Sequence, residues 1–200
     1  MIRVLLVDDE TLIRSAMSQM IDLEQDIEVV GETSTGEQAI TMAATLRPDV
    51  VLMDMQLPGI DGIEAATEVL SSTQVAVIMV TSHAKPGYLK RALAEGIQGF
   101  LPKTAPAASL HEAIRSVAAG GRYIDAELST QAIVAGDSPL TCREADILDL
   151  AAVGASAEEI ARKAHLSVGT VRNYLSSAVT KLNATNRHHA VTIARDNGWI

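Results

Sequence analysis

Five side chains attract attention by type and spacing: Asp8, Asp9, Asp54, Thr81 and Lys103. Each stands at or just past the end of a short apolar run. IRVLLV (2–7) leads into Asp8 and Asp9, DVVLM (49–53) into Asp54, VAVIMVT (75–81) closes on Thr81, and GFL (99–101) precedes Lys103. Three carboxylates brought close together repel by roughly 4 kcal/mol per pair at an effective dielectric near 20. A hard divalent cation is the usual remedy, and Mg²⁺ held by carboxylates, a backbone carbonyl and water suits such a cluster. The hydroxyl of Thr81 and the ammonium of Lys103 add what a magnesium site alone does not need, namely donors for the oxygens of a phosphoryl group. The chemistry implied is nucleophilic: Asp54 accepts a phosphoryl group while Mg²⁺ screens the approach of the donor.

What must bring these residues together is a parallel sheet. The four runs above and IEVVGE (27–32) are strand-length and rich in β-branched residues, with amphipathic stretches between them. Leu12, Ile13, Ala16, Met17, Met20 and Ile21 recur at the helical period, as do Leu110, Ala113, Ile114, Val117 and Ala118. Apolar strands alternating with helices predict an α/β fold whose sheet is covered on both faces. Ligands of such sheets bind beyond the carboxyl ends of the strands, where all five chemical residues fall.

The totals divide the chain in two. Two hundred residues exceed one domain of typical size, and the net charge of −9 is unevenly placed. Residues 1–137 carry 9 Lys and Arg against 19 Asp and Glu, and residues 138–200 carry 7 against 6, so the acidity belongs to the first part. Gly136, Asp137, Ser138 and Pro139 form the clearest breaker cluster. The expected division is a domain over 1–121, a linker over 122–138 with a possible short helix at 124–134, and a second domain over 139–200. A single cysteine, Cys142, excludes an internal disulfide, and no apolar run approaches the roughly 20 residues of a membrane span. The expectation is a cytoplasmic chain with no direct membrane association. Five aromatic residues are too few for base stacking to dominate any binding. His83 and His111 have no partner at metal-ligand spacing and are expected on the solvated surface.

The second part reads as four short helices. Thr141 with Glu144 and Ser156 with Glu159 form capping boxes, Gly154 ends the first helix, a third helix begins after Ser167, and Asn186 caps a fourth. A short helix, a tight turn at His165 and Leu166, and a longer helix make a helix-turn-helix. The longer helix buries Val171, Leu175, Ala178, Val179 and Leu182. Its other side presents Val168, Gly169, Arg172, Asn173, Ser176 and Thr180, small and polar residues with one arginine, suited to the major groove. Lys181 and Arg187 stand where phosphate contacts are expected.

Two resemblances sharpen this reading. VDDE (7–10), MDMQLPGIDG (53–62), VTS (80–82) and GFLPK (99–103) resemble the receiver domain of two-component response regulators over about residues 1–120. The resemblance implies a five-stranded flavodoxin-like domain phosphorylated on Asp54 by a histidine kinase. It further implies that Asp9, Asp54 and the Gln56 backbone carbonyl ligate Mg²⁺ directly, with Asp8 acting mainly through water. Thr81 and Lys103 would hold the phosphoryl oxygens, and Phe100 would be a switch aromatic that turns inward as Thr81 moves. Many receivers carry proline directly after the lysine, whereas here Pro102 precedes Lys103 and Thr104 follows.

PLTCREADILDLAAVG, ASAEEIARKAHLSVGTVRNYL and KLNATNRHHAV are similar to the LuxR-type output domain of the NarL/FixJ subfamily. Leu140, Thr141, Arg143, Glu144, Gly154, Ile160, Ala161, Ser167, Thr170, Val171, Lys181, Leu182 and Arg187 carry the match. Tyr174, Ala157 and Ala184 depart from a usual histidine, asparagine and valine. Tyr174, KPGYLKRA and GW resemble the DesR branch. The combined expectation is a phosphorylation-gated transcription factor. Its receivers would pair as a homodimer, through Leu23, Ala107, Ala108 and Leu110 on the first and fifth helices or, as the competing surface, through the fourth helix, and place two reading helices on promoter DNA. A dehalogenase-type phosphatase would need a second acid two residues past the nucleophile, and Gln56 stands there. A transcription factor with a vestigial receiver is the alternative.

Overall fold

The structure, a computed structural model, describes residues 1–82, 86–134 and 138–200. His83 and the breaker residues Gly136 and Asp137 lie outside the described residues. The chain divides into two compact units, one holding the sheet and the other holding residues 138–200.

In the first unit the strands β1 (Ile2–Val7), β2 (Ile27–Thr33), β3 (Val50–Asp54), β4 (Ala76–Thr81) and β5 (Gly99–Pro102) alternate with five helices. These are α1 (Thr11–Asp22), α2 (Gly36–Leu46), α3 (Gly62–Ser72), α4 (Pro86–Ala94) and α5 (Ala107–Ala118). All strand pairs are parallel, in the order β2-β1-β3-β4-β5 followed by a short edge strand, β6 (Tyr123–Ile124). The central strand β3 is buried at every residue, as a strand covered by helices on both faces must be. Register aligns the strand ends, pairing Val7 with Met53, Asp54 with Val80 and Thr81 with Pro102. Asp8, Asp54, Thr81 and Lys103 are thereby drawn to one rim.

The sheet has six strands, not five. Strand β6 (Tyr123–Ile124) pairs with β5, the Tyr123 amide donating to Gln98 O at 3.0 Å and the Asp125 amide to Phe100 O at 3.1 Å. Two residues are too few to show a period of two, so they fall within the stretch expected as linker. Helix α6 (Ala126–Val134) then fills the stretch in which a short helix was expected.

Helix faces also differ in detail from the apolar periodicity. On α1 only Met17 and Ile21 are fully buried, whereas Leu12 is 83% exposed and Ala16 lies in solvent. On α5 the buried residues are Leu110, His111, Ala113, Ile114 and Val117, and Ala118 is exposed. Two expectations are therefore corrected. Leu110, expected on an outer surface, packs in the core with Val4, Leu6 and Ile21. His111, expected in solvent, is buried with Nδ1 3.1 Å from Glu24 Oε1, beside the Arg115 guanidinium that binds Glu24 and Asp26. The helical stripe on α5 is one residue wider than its apolar letters, and histidine fills that width because a carboxylate meets its ring nitrogen.

The second unit contains α7 (Cys142–Ala152), α8 (Ala157–Lys163), α9 (Val168–Lys181) and α10 (Arg187–Asp196). Both capping boxes form: Thr141 Oγ1 accepts from the Glu144 amide and Ser156 Oγ from the Glu159 amide, and each glutamate accepts from its cap amide at 2.7 Å. Gly154 turns left-handed at φ 84° to end α7, and His165 at φ 53° makes the tight turn between α8 and α9. Asn186 caps α10 through the His189 amide. None of the described helices is long and apolar enough to cross a membrane.

Candidate functional site

The rim of the first unit is built around a buried carboxylate. Asp54 ends β3 and is 4% exposed, and Asp8, directly after β1, is fully buried. Asp9 faces solvent beside them, and one donor oxygen from each of Asp8, Asp9 and Asp54 lies within 4.8 Å of the others. This triad is the one acidic cluster among the described residues that fits a cation. Lys103 reaches it from the end of β5, with Nζ 2.8 Å from Asp8 Oδ2, 3.0 Å from Asp54 Oδ2 and 3.1 Å from Glu10 Oε1. Asp8 Oδ2 has the ammonium as an ion-pair partner but no well-aligned hydrogen-bond donor. Thr81 ends β4, buried on the same rim, and its carbonyl accepts the Lys103 amide at 2.8 Å.

The electrostatics follow from burial. Desolvation pushes the Asp54 carboxyl up to about 6, opposed by the charge of Lys103, reinforced by that of Asp8, and moderated by hydrogen bonds from Lys103 and the Gln56 amide. Burial and then the Asp8 charge also raise Asp9. Burial alone would lower Lys103, yet Asp54 and Asp8 outweigh it and hold the ammonium firmly protonated. Two buried carboxylates and one exposed, balanced by one ammonium, have the donor set of a Mg²⁺ site, with hard oxygens and excess negative charge. The carbonyl of Gln56 follows Asp54 by two residues on the same loop. Phe100 is fully buried on β5, paired with Met79 of β4.

In the second unit α9 exposes Gly169, Arg172, Asn173, Ser176, Thr180 and Lys181, and Val168 is half-buried. Val171, Leu175, Ala178 and Leu182 are buried as expected, whereas Val179 is only half-buried. Several polar heads are engaged within the unit. The Arg172 guanidinium is 3.3 Å from Glu158 Oε1 on α8, and Arg187 donates to the Ala155 carbonyl at 3.3 Å. Lys181 Nζ lies 2.8 Å from Glu144 Oε2. Glu144 is buried at the start of α7 and also accepts from Ser177 Oγ and the Thr141 amide. Burial would raise this carboxyl, but the hydrogen bonds from Lys181, Ser177 and Thr141 outweigh it and hold it below the usual glutamate range.

The family of the chain is settled by two matches, one in each part of the chain. The response regulator receiver domain matches residues 4–115, and the bacterial regulatory proteins of the luxR family match residues 138–194. The chain belongs to the response regulators. This response regulator joins a receiver domain to a LuxR-type DNA-binding domain. It is 39% identical to the transcriptional regulatory protein DesR of Bacillus subtilis, and 40% identical to the uncharacterized transcriptional regulatory protein YvfU of the same organism, over the full length of each chain. Among solved structures it is similar to the response regulator ChrA of a heme-sensing two-component system, at 32% identity and TM-score 0.59, covering 100% of this chain and 98% of that one. It shares a fold with the response regulator RcsB, solved as an RcsB–DNA complex, at 23% identity and TM-score 0.64 over 97% of this chain and 98% of that one.

Sequence reasoning on this response regulator missed four residues that the structure draws to its two sites. Glu10 lies within VDDE with nothing to mark a role, yet it touches Lys103. Gly62 ends the PGIDG stretch; a Cβ there would sit 1.9 Å from the Asp54 carbonyl oxygen, so only glycine lets the start of α3 close on the end of β3. Glu144 caps a helix, as its spacing predicts, and also anchors Lys181. Glu158, the partner of Arg172, carried no signal of its own.

Proposed function

We propose that this response regulator is gated by phosphorylation of Asp54, with a sensor histidine kinase as the phosphoryl donor and promoter DNA as the target of its output. The observation that carries the proposal is the buried Asp54 carboxylate, hydrogen-bonded to Lys103 and within reach of Asp8 and Asp9. Asp9, Asp54 and the Gln56 carbonyl would hold Mg²⁺, with Asp8 acting mainly through water. The cation, when bound, supplies positive charge that screens an anionic donor. Thr81 and Lys103 bind phosphoryl oxygens, and Thr81 and Phe100 form the switch. The modified side chain gains about −1.5 to −2 charges at a rim that already carries an excess of carboxylates.

Residues 1–121 together with β6 then act as the receiver, the rest of 122–138 as the linker and 139–200 as the output domain. The phosphorylated receivers pair through α1 and α5, where Leu23 and Ala108 are exposed and Ala107 is half-buried. Pairing matters because two linked reading helices on adjacent half-sites bind jointly. Val168, Gly169, Arg172, Asn173, Ser176 and Thr180 face the major groove, with Lys181 and Arg187 toward phosphates. Mass spectrometry after incubation with acetyl phosphate and Mg²⁺ tests the core of the proposal. The expected result is a gain of one phosphoryl mass in wild type and none in Asp54→Ala; equal masses in the two would refute it.

A further inference from the structure

Lys103 has as many carboxylate partners as an ammonium has donors. Nζ lies 2.8, 3.0 and 3.1 Å from Asp8, Asp54 and Glu10, donating hydrogen bonds to Asp54 and Glu10 and pairing with Asp8 by charge. With three carboxylates this close around Nζ, a phosphoryl oxygen reaches the ammonium only as one of them gives way. Asp8 and Asp54 are enclosed, whereas the Glu10 side chain is 55% exposed and can rotate into water. Glu10 also stands at the N-cap of α1, where its side chain makes no cap hydrogen bond. The carboxylate is spent on Lys103 and not on the helix.

We propose that Glu10 is a positioning residue that holds one donor of Lys103 in the resting receiver and is displaced by the incoming phosphoryl group. The inference rests on the reading of Asp54 as phosphoacceptor. In the transfer from acetyl phosphate, an Asp54 carboxylate oxygen bonds to phosphorus as the bond from phosphorus to the acetyl oxygen breaks, and acetate leaves as the anion. Lys103 neutralises phosphoryl oxygens in that step only after it releases Glu10. Glu10 therefore opposes phosphorylation in two ways, by occupying the donor and by repelling an anionic reagent.

The test is the second-order rate constant for phosphorylation by acetyl phosphate with Mg²⁺, in wild type, Glu10→Gln and the charge-matched control Glu68→Gln on an exposed turn of α3. Glu10→Gln should react about two- to fivefold faster, the worth of one partly exposed ion pair, and Glu68→Gln at the wild-type rate. A second readout needs neither phosphate nor metal. The Lys103 ammonium ¹⁵N–¹H signal should be sharp in wild type and broadened by faster proton exchange in Glu10→Gln. An unchanged or slower rate in Glu10→Gln, or an unchanged ammonium signal, overturns the role of Glu10 while leaving Asp54 as acceptor. A wild-type protein that takes up no phosphoryl group overturns the reading of Asp54 and this inference with it.

Discussion

The ammonium of Lys181, at the end of α9, lies 2.8 Å from the buried carboxylate of Glu144 at the start of α7. The pair joins the element that would enter DNA to the element that carries it, and it makes Lys181 a structural residue before it is a phosphate contact. Removal of one partner from a buried hydrogen-bonded charge costs more than the pair contributes, because the other is stranded.

Lys181→Ala is accordingly expected to destabilise the second unit by about 1–3 kcal/mol. Chemical denaturation followed through this unit measures that loss. If Lys181 also contacts phosphate, affinity for all DNA sequences falls together and the salt dependence flattens by about one charge, after correction for the folded fraction. A stability loss with an unchanged salt slope would confine Lys181 to its role beside Glu144.

Glu144 predicts a pH dependence. Its carboxyl is held below the ordinary glutamate range in the folded protein, so the stability it contributes is present above the unfolded value near 4.5 and is lost as pH falls through the lower folded value. Thermal melting of wild type and Glu144→Gln should differ most at pH 6 to 7 and converge as the pH falls below about 4.5. A gap that stays constant down to acid pH would contradict the assignment.

Asp54 predicts the opposite sign. Burial first, with the Asp8 charge, raises its carboxyl to about 6, so ionisation opposes folding above that pH and ceases to do so as pH falls toward the ordinary value of 3.8. In metal-free buffer Asp54→Asn should stabilise the first unit at pH 8, by at most about 3 kcal/mol, and not at pH 4. Added Mg²⁺ should raise the melting temperature of wild type more than that of Asp54→Asn. Differential scanning calorimetry with and without chelator reads both effects, and an Asn variant that melts lower than wild type at pH 8 would reject the predicted sign.

Arg172→Ala should cost roughly 1–3 kcal/mol on a specific site and much less on random DNA, relaxing preference at one base pair. Its exposed pairing with Glu158 is too weak to hold it from a guanine edge. Competition binding with single-base operator variants makes the measurement, and equal losses on specific and random DNA would remove the base-reading role.

The proposed receiver pairing separates surface from core. Leu23→Ala and Ala108→Glu should abolish phosphorylation-dependent dimers in sedimentation with little change in melting. Leu110→Ala should instead open a core cavity costing about 2–5 kcal/mol, because Leu110 is only 6% exposed. Intact dimerisation in both surface variants would move the interface to another face.

The order of strands and helices, and the convergence of Asp8, Asp9, Asp54, Thr81 and Lys103 on one rim, were legible in the sequence. An apolar run of five or six residues ending in a polar one leaves few places for a parallel strand to stop, and parallel strands end together. The capping boxes, the left-handed end at Gly154 and the tight turn at His165 were legible because a cap is decided within about four residues. Strand β6 was not, since two residues carry no period and exist as a strand only because β5 offers its edge.

The sequence by itself thus determined which residues could do chemistry and on which rim they would meet, because those facts depend on short-range periodicity and on the rules of parallel sheets. Only the tertiary structure decided what each polar head touches. Lys103 meets Glu10 across 93 residues and Lys181 meets Glu144 across 37. Leu110 turned inward and His111 gained a carboxylate through the packing of α5 against the sheet and against the segment after α1. The physical reason is that a helical period marks an apolar stripe but not its edges, and the partner of a charge at such an edge belongs to an element that the period cannot see.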